Sequence, residues 1–288
     1  MRRFDAWMLA ARPRTLPAAV SPVVVGGAFA FDAGAFAALP FAAALLGAVL
    51  LQVAANLAND YFDFVKGADT SERIGPVRVT QAGLLTPGEV RSGIVAALAA
   101  AVAVGLYLIW IGGWPVLAIG VAGMVCAVAY TGGPFPLGYH GLGEVFVFLF
   151  FGPVAVGGTY WVLTGSIAPD PLLAGVAVGL LAAAILVVNN VRDRDTDARA
   201  GKRTLAVRLP EPTARREFVV LNAAAYAGAA VLALGSPWRA LPLLALPVAL
   251  VLAFAVTRES GAALNERLAQ AGMHLALFSA LLAAGVVL

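Results

Sequence analysis

The chain has 288 residues, 61% hydrophobic and only 12% charged, with a formal net charge of +3. Its mean hydropathy is +0.89, whereas a soluble domain is about 25% charged, so the composition excludes a disordered chain and argues against an ordinary soluble enzyme. The small net charge offers no partner surface for nucleic acid, and the one cysteine, Cys126, excludes a disulfide framework and a multi-cysteine zinc site.

A membrane crossing takes about 20 apolar residues. Charge-free runs cover 16–31 and 33–59. The run 92–143 is too long for one crossing, and Gly112-Gly113-Trp114-Pro115 divides it into two. Further runs cover 145–169, 171–191, 218–238, 240–257 and 268–288. The prediction is an all-α bundle of nine transmembrane helices in a single domain, 1–288. A closed barrel is the other way to satisfy backbone groups in lipid. Barrel strands need alternating segments of about ten residues, and these runs are continuous and rich in Leu, Ala and Val. The N-terminus imitates a secretory signal, with Arg2, Arg3 and an apolar run containing Ala28-Phe29-Ala30. Arg12 and Arg14 directly before that run favour a retained first helix.

Lysines and arginines concentrate on the cytoplasmic side of membrane proteins. With the N-terminus inside, only Arg239 of the 19 Lys and Arg falls outside. Tyr107, Trp110, Trp114, Tyr160, Trp161 and Trp238 fall near the expected outer interface. Acids contribute little to that rule, yet of the 16 only Asp32 and Asp170 fall outside.

The inner acids gather in two places. One is Asn56-Leu-Ala-Asn59-Asp60-Tyr-Phe-Asp63-Phe-Val-Lys66-Gly67-Ala-Asp69. The other runs from Asn189-Asn190-Val-Arg192-Asp193 through Asp195 and Asp197 to Lys202-Arg203. Asn56, Asp60 and Asp63 share one helix face, and so do Asn189, Asp193 and Asp197. Asp195 lies off its face. Each set ends an apolar helix, the second and the sixth. Helices one to four therefore read as a weak repeat of five to eight, with the ninth added.

Carboxylates and amides facing one another suit a hard cation, Mg²⁺ most naturally. Lys66, Arg73 and Arg78 follow the first set, and Lys202 and Arg203 the second. Metal-loaded carboxylates with flanking cations would clamp a diphosphate. A clamp at the mouth of an apolar bundle implies a diphosphate head with a hydrocarbon tail, as in isoprenoid diphosphates. Capping or solvation explains one acid cluster as well as function does. Two clusters at matched depth, each with helical periodicity, favour function.

Asn59-Asp60-x-x-Asp63 and Asp193-x-x-x-Asp197 resemble the two aspartate motifs of the UbiA superfamily of intramembrane prenyltransferases. Arg12-Pro-Arg14-Thr-Leu-Pro17, Tyr130-Thr-Gly-Gly-Pro134 through Gly143-Glu144, and Gly201-Lys-Arg-Thr-Leu-Ala-Val207 narrow the resemblance. It is closest to the 1,4-dihydroxy-2-naphthoate polyprenyltransferases of menaquinone synthesis. Pro210 stands where that branch leads one to expect glycine, beyond the motif itself. The resemblance implies a bundle around a central cavity open to lipid in the cell membrane, with the site mouth on the cytoplasmic side. It implies Mg²⁺ held by Asp60 and Asp63 on one side and Asp193 and Asp197 on the other, with Asn59 assisting and Lys202 on the diphosphate. The implied reaction joins a polyprenyl group to 1,4-dihydroxy-2-naphthoate with loss of carbon dioxide. Other acceptors known to the superfamily are 4-hydroxybenzoate, homogentisate, chlorophyllide and haem.

Several residues have two readings. Arg12 and Arg14 suit a carboxylate on the acceptor, but positive-inside anchoring accounts for them too. Tyr139 and His140, in the Gly/Pro-rich loop, are candidates for proton handling or passive loop residues. Gln52 either packs or approaches the cavity. The stretch 64–91 either folds over the site or runs as a passive loop. A transporter would usually carry ionisable groups near the membrane midplane; here they lie at the mouths, His274 excepted, which counts against transport. A non-catalytic scaffold would need no matched acid faces.

Overall fold

The computed structural model describes residues 2–68 and 74–288. It is helical throughout, with no strand among the described residues. The helices are α1 (Arg3–Ala11), α2 (Leu16–Asp32), α3 (Ala38–Val65), α4 (Pro87–Gly112), α5 (Trp114–Ala129), α6 (Gly143–Phe150), α7 (Pro153–Thr164), α8 (Pro169–Arg192), α9 (Arg194–Arg199), α10 (Leu205–Arg208), α11 (Glu211–Ala233), α12 (Leu246–Arg258) and α13 (Ala263–Val287). Among the described residues, 8 helical stretches are long and apolar enough to cross a membrane. They are Arg3–Asp32, Ala38–Val65, Pro87–Gly112, Gly143–Thr164, Pro169–Arg192, Glu211–Ala233, Pro237–Arg258 and Ala263–Val287. The expected count was nine. The remaining segment, α5, has 16 residues and spans only about 24 Å, short of a hydrocarbon core of roughly 30 Å.

Local sequence sets the breaks. Arg12 adopts a left-handed conformation, φ 52°, and Pro13 follows, so α1 stops and the chain turns a corner into α2. Thr86 caps α4 and Glu89 reaches back to the Thr86 backbone, a capping box. The fifth expected span divides at Gly152 into α6 and α7. A Cβ on Gly152 would stand 2.5 Å from the Gly175 carbonyl oxygen, and one on Gly179 would collide with that of Phe148. Three glycines thus let a broken span lie against α8, as small residues do at membrane helix contacts.

α8 is the spine. Ala177, Val178, Leu181 and Ala182 are buried among α2, α7, α11 and α13, which share one apolar core. α1, α3 and α4 form a second cluster with Val79 and Leu85. Between α2, α3, α4, α5, α6 and α7 lies an apolar cavity of about 370 Å³.

At the end of the bundle away from the acid motifs, Arg239 contacts Asp170 at 2.6 Å and Asp32 at 3.6 Å. Its guanidinium also lies 5.4 Å from the centre of the Phe29 ring. The one basic residue expected outside thus meets the two acids expected there, joining the ends of α2 and α8 to the 3₁₀ stretch Pro237–Ala245. Both acids are half exposed, so the clasp contributes about 1 kcal/mol. Arg239→Gln should lower the melting temperature in nanodiscs by about 2 °C; an unchanged transition would show the clasp contributes nothing.

Candidate active site

Asp63 is the centre of the charged end. Its side chain is 2% exposed. Oδ1 accepts from the Tyr139 hydroxyl at 2.9 Å and meets Lys202 Nζ at 2.9 Å. Oδ2 meets Arg78 Nη2 at 3.2 Å. Lys202 also stands 3.9 Å from Asp197 Oδ1. One ammonium therefore sits between a carboxylate of the first motif and one of the second.

Two cations lie over the Tyr139 ring. Lys66 Nζ is 4.8 Å and Lys202 Nζ 4.9 Å from its ring centre, within cation–π range. The Tyr139 carbonyl accepts from the Arg203 backbone N–H at 2.9 Å, which ties the central loop to the second motif. Lys66 Nζ donates to the Thr131 carbonyl at 2.6 Å. Burial pushes the Lys66 ammonium below the ordinary lysine pKa; Asp63 pulls it up and Lys202 pushes it down.

The other acids have different partners. Asp60 accepts from Val79 N–H at 3.1 Å and Thr80 N–H at 3.0 Å, and from the Thr80 hydroxyl. It thus holds the strap 74–86 against the end of α3. The alternative of a passive loop over 64–91 is thereby answered for the described part. The strap's far side is fixed too, since Asn265 Nδ2 donates to the Ile74 carbonyl at 3.0 Å. Asp193 takes two bonds from Arg192, at 2.8 and 2.6 Å. Arg192 also donates to Asn189 Oδ1 at 2.8 Å and to Asn265 Oδ1 at 3.0 Å.

Asn59 Oδ1 accepts from the Thr131 hydroxyl at 3.0 Å. Asn56 is drawn into the α1–α2 corner, donating to the Ala11 carbonyl and Thr15 Oγ1, each at 2.9 Å. Asn190 donates to Glu144 Oε1 at 2.7 Å, facing α6. Arg12 and Arg14 belong to the corner before α2, Arg14 exposed. His140 stacks on Phe135 with ring centres 3.7 Å apart, and its Nδ1 lies 2.8 Å from the Pro136 carbonyl oxygen. Asp69 and Arg73 lie outside the described residues.

Sequence reasoning assigned no role to Arg192, Thr80 or Thr131. Arg192 stands beside Asp193, which was its available signal; the strap contacts join residues about twenty positions apart and leave no periodicity.

The donor set is carboxylate and amide oxygen, which fits a hard cation. Asp63 and Asp197 fit best, because Lys202 already places positive charge between them. Among the described residues no third acidic or imidazole group joins them in one cluster.

The cavity meets this mouth at Tyr130. Its side chain lines the cavity, and burial together with Glu144, Asp197 and Asp63 pushes its hydroxyl pKa up. Of some thirty lining side chains almost all are apolar, with Gln52, Thr159 and Tyr130 the oxygen-bearing exceptions. The charged cluster therefore adjoins an almost wholly apolar cavity through Tyr130.

A bundle of eight helical stretches long and apolar enough to cross a membrane defines an integral membrane protein. The profile of the UbiA prenyltransferase family matches residues 19–283, so the chain belongs to that family and is a prenyltransferase. It is 42% identical to the 1,4-dihydroxy-2-naphthoate octaprenyltransferase of Mycobacterium tuberculosis, over 87% of this chain and 85% of that protein. It is 38% identical to the enzyme of the same name from Escherichia coli K12, over 89% of this chain and 86% of that one. The fold matches a UbiA homologue from Archaeoglobus fulgidus bound to GPP and Mg²⁺, with a TM-score of 0.70, 18% identity and coverage of 98% and 99%.

Tyr139→Phe keeps a ring beside the two ammonium groups and loses the bond to Asp63; Tyr139→Leu loses both. Titration with inorganic diphosphate and Mg²⁺ should show weakening of a few fold for Phe and roughly tenfold or more for Leu. Equal affinities would show that Tyr139 does not hold the lysines for an anion.

Proposed function

We propose that the protein transfers the polyprenyl group of a prenyl diphosphate to 1,4-dihydroxy-2-naphthoate, releasing diphosphate and carbon dioxide and giving the quinol form of demethylmenaquinone, which a separate two-electron oxidation turns into the quinone. The observation that carries this reading is the shared Lys202 between Asp63 and Asp197, at the mouth of an apolar cavity. The names of the relatives at 42% and 38% identity supply the acceptor. The Lys and Arg distribution supports a cell-membrane protein with its N-terminus and mouth on the cytoplasmic side.

Lys66 and Lys202, steadied by Tyr139, bind the diphosphate, and Arg78 adds charge from the strap. Asp63 and Asp197 would hold Mg²⁺; to join them Asp60 would have to leave Val79 and Thr80, Asp193 to leave Arg192, and Asn59 to leave Thr131. Bound metal supplies charge neutralisation for the departing diphosphate. The allylic C–O bond breaks with its electron pair on the diphosphate, where the lysines stabilise it. The ring carbon bearing the carboxylate forms the new C–C bond. The carboxylate then leaves as carbon dioxide, and its bonding pair returns to the ring. The apolar walls keep water from the electron-poor carbon.

Purified protein with Mg²⁺, octaprenyl diphosphate and 1,4-dihydroxy-2-naphthoate should yield prenylated naphthoquinol and carbon dioxide, and EDTA should stop it. Asp63→Asn and Asp197→Asn should each lose at least about a hundredfold in rate. Product with 4-hydroxybenzoate instead would keep the chemistry and replace the acceptor. Full activity in both variants would remove the clamp assignment.

The cavity wall also carries Gly105 and Gly120, where a Cβ would meet nothing within 4 Å. Helix packing does not require glycine there, although glycine costs a helix up to about 1 kcal/mol. Gly105→Leu and Gly120→Leu should therefore fill tail space. In competition between geranyl and octaprenyl diphosphate, product ratios should move about tenfold towards the short tail. An unmoved ratio would place the tail elsewhere.

A further inference from the structure

The hydrogen bonds around Gln52 allow its amide one orientation. Thr15 Oγ1 donates to the Arg12 carbonyl at 2.9 Å, so its lone pairs serve the neighbouring amides. Asn56 Nδ2 donates to the Ala11 carbonyl and to Thr15 Oγ1, each at 2.9 Å. That leaves Asn56 Oδ1 as an acceptor. Gln52 meets it at 3.3 Å and meets Thr15 Oγ1 at 3.2 Å. Two acceptors cannot bond one another, so the Gln52 atom on this side is its nitrogen.

The consequence falls on the other atom of the amide. Gln52 Oε1 is buried and accepts no hydrogen bond. Gln52 lines the apolar cavity, on the same helix as the first acid motif. Thr159, another polar lining residue, has its hydroxyl committed to the Ala155 carbonyl at 2.8 Å. A buried acceptor left unsatisfied is costly and needs explaining. An apolar wall gives a lone water few of the partners it needs. A ligand that carries its own donor removes the cost.

We propose that Gln52 Oε1 forms a hydroxyaryl subsite, accepting a hydrogen bond from a hydroxyl of the aromatic acceptor. This deepens the transferase reading and rests on it for the identity of the ligand. A neutral amide oxygen pairs with O–H and with nothing on a quinone, whose ring oxygens only accept. The subsite therefore selects the reduced, protonated ring over its oxidised form and over its ethers. A site built for a hydroxyl penalises analogues that lack it.

The test is equilibrium binding, without turnover, of 1,4-dihydroxy-2-naphthoate and its two monomethyl ethers to protein in nanodiscs under argon. Wild type should bind the parent roughly tenfold or more tightly than one of the ethers. Gln52→Met, apolar and similar in length, should erase that preference. Thr15→Val disturbs the same corner but leaves Oε1 in place, and should keep it. Equal wild-type affinity for the parent and both ethers overturns the subsite, whether or not Gln52→Met folds; so does an unchanged preference in folded Gln52→Met. Transfer assays on the same samples separate the two readings. Ether discrimination without any prenyl transfer would leave the subsite standing and remove the transferase reaction. Transfer without discrimination would do the reverse.

Discussion

The structure depends on one constraint: charge taken out of water beside an apolar bundle must be paired. A buried ion left alone costs several kcal/mol, and ionisable groups near the hydrocarbon region persist when partnered or functional. Lys202 meets that constraint between Asp63 and Asp197, 2.9 and 3.9 Å away. The same contact joins α3 to the segment after α9. The pairing that makes the charges tolerable also assembles the site.

The remaining contacts at this end extend the same logic to the backbone. The strap 74–86 would expose unpaired amides over the end of α3. Asp60 takes two of them, from Val79 and Thr80, and Val79 then packs with Leu57 and Val90. Across the bundle, Arg192 satisfies Asp193, Asn189 and Asn265 together, and Asn265 returns to the strap at Ile74. Polar groups from α3, α8, α13 and the strap thus form connected bonds, and a connected network holds its members in place.

Much of this was legible from residue order because it is periodic. Continuous apolar runs mark the spans, and Asp60/Asp63 and Asp193/Asp197 declare themselves at helical spacing. What was not legible is what periodicity does not encode. Asn56 shares the face of Asp60 yet bonds to Ala11 and Thr15, because the corner made by Arg12 and Pro13 happens to stand opposite it. Asn190 turns to Glu144 while its neighbour Asn189 turns to Arg192. Tyr139 lies in a single 3₁₀ turn, Leu137–His140, too short to show a period, so its place beside Lys66 and Lys202 depends on how that turn docks on Arg203. α5 reads as a full span by composition, but its helix ends at Ala129 and the Gly/Pro-rich loop takes the rest.

Charge balance also couples the two halves of the proposed substrate complex. Lys202 and Arg78 are held by Asp63, so a diphosphate that draws them away would leave a buried carboxylate unpaired. A divalent cation alone, set beside Asp63 and Asp197, would repel Lys202 from its place between them. Bound together, the two remove both costs, since the cation takes the carboxylates and the anion takes the lysines. In the proposed complex each ligand would therefore raise the affinity for the other by the same factor. Tyr139 suits this exchange of partners: its ring attracts both ammonium groups without claiming their charge, and holds Lys66 and Lys202 near the mouth whichever anion they face.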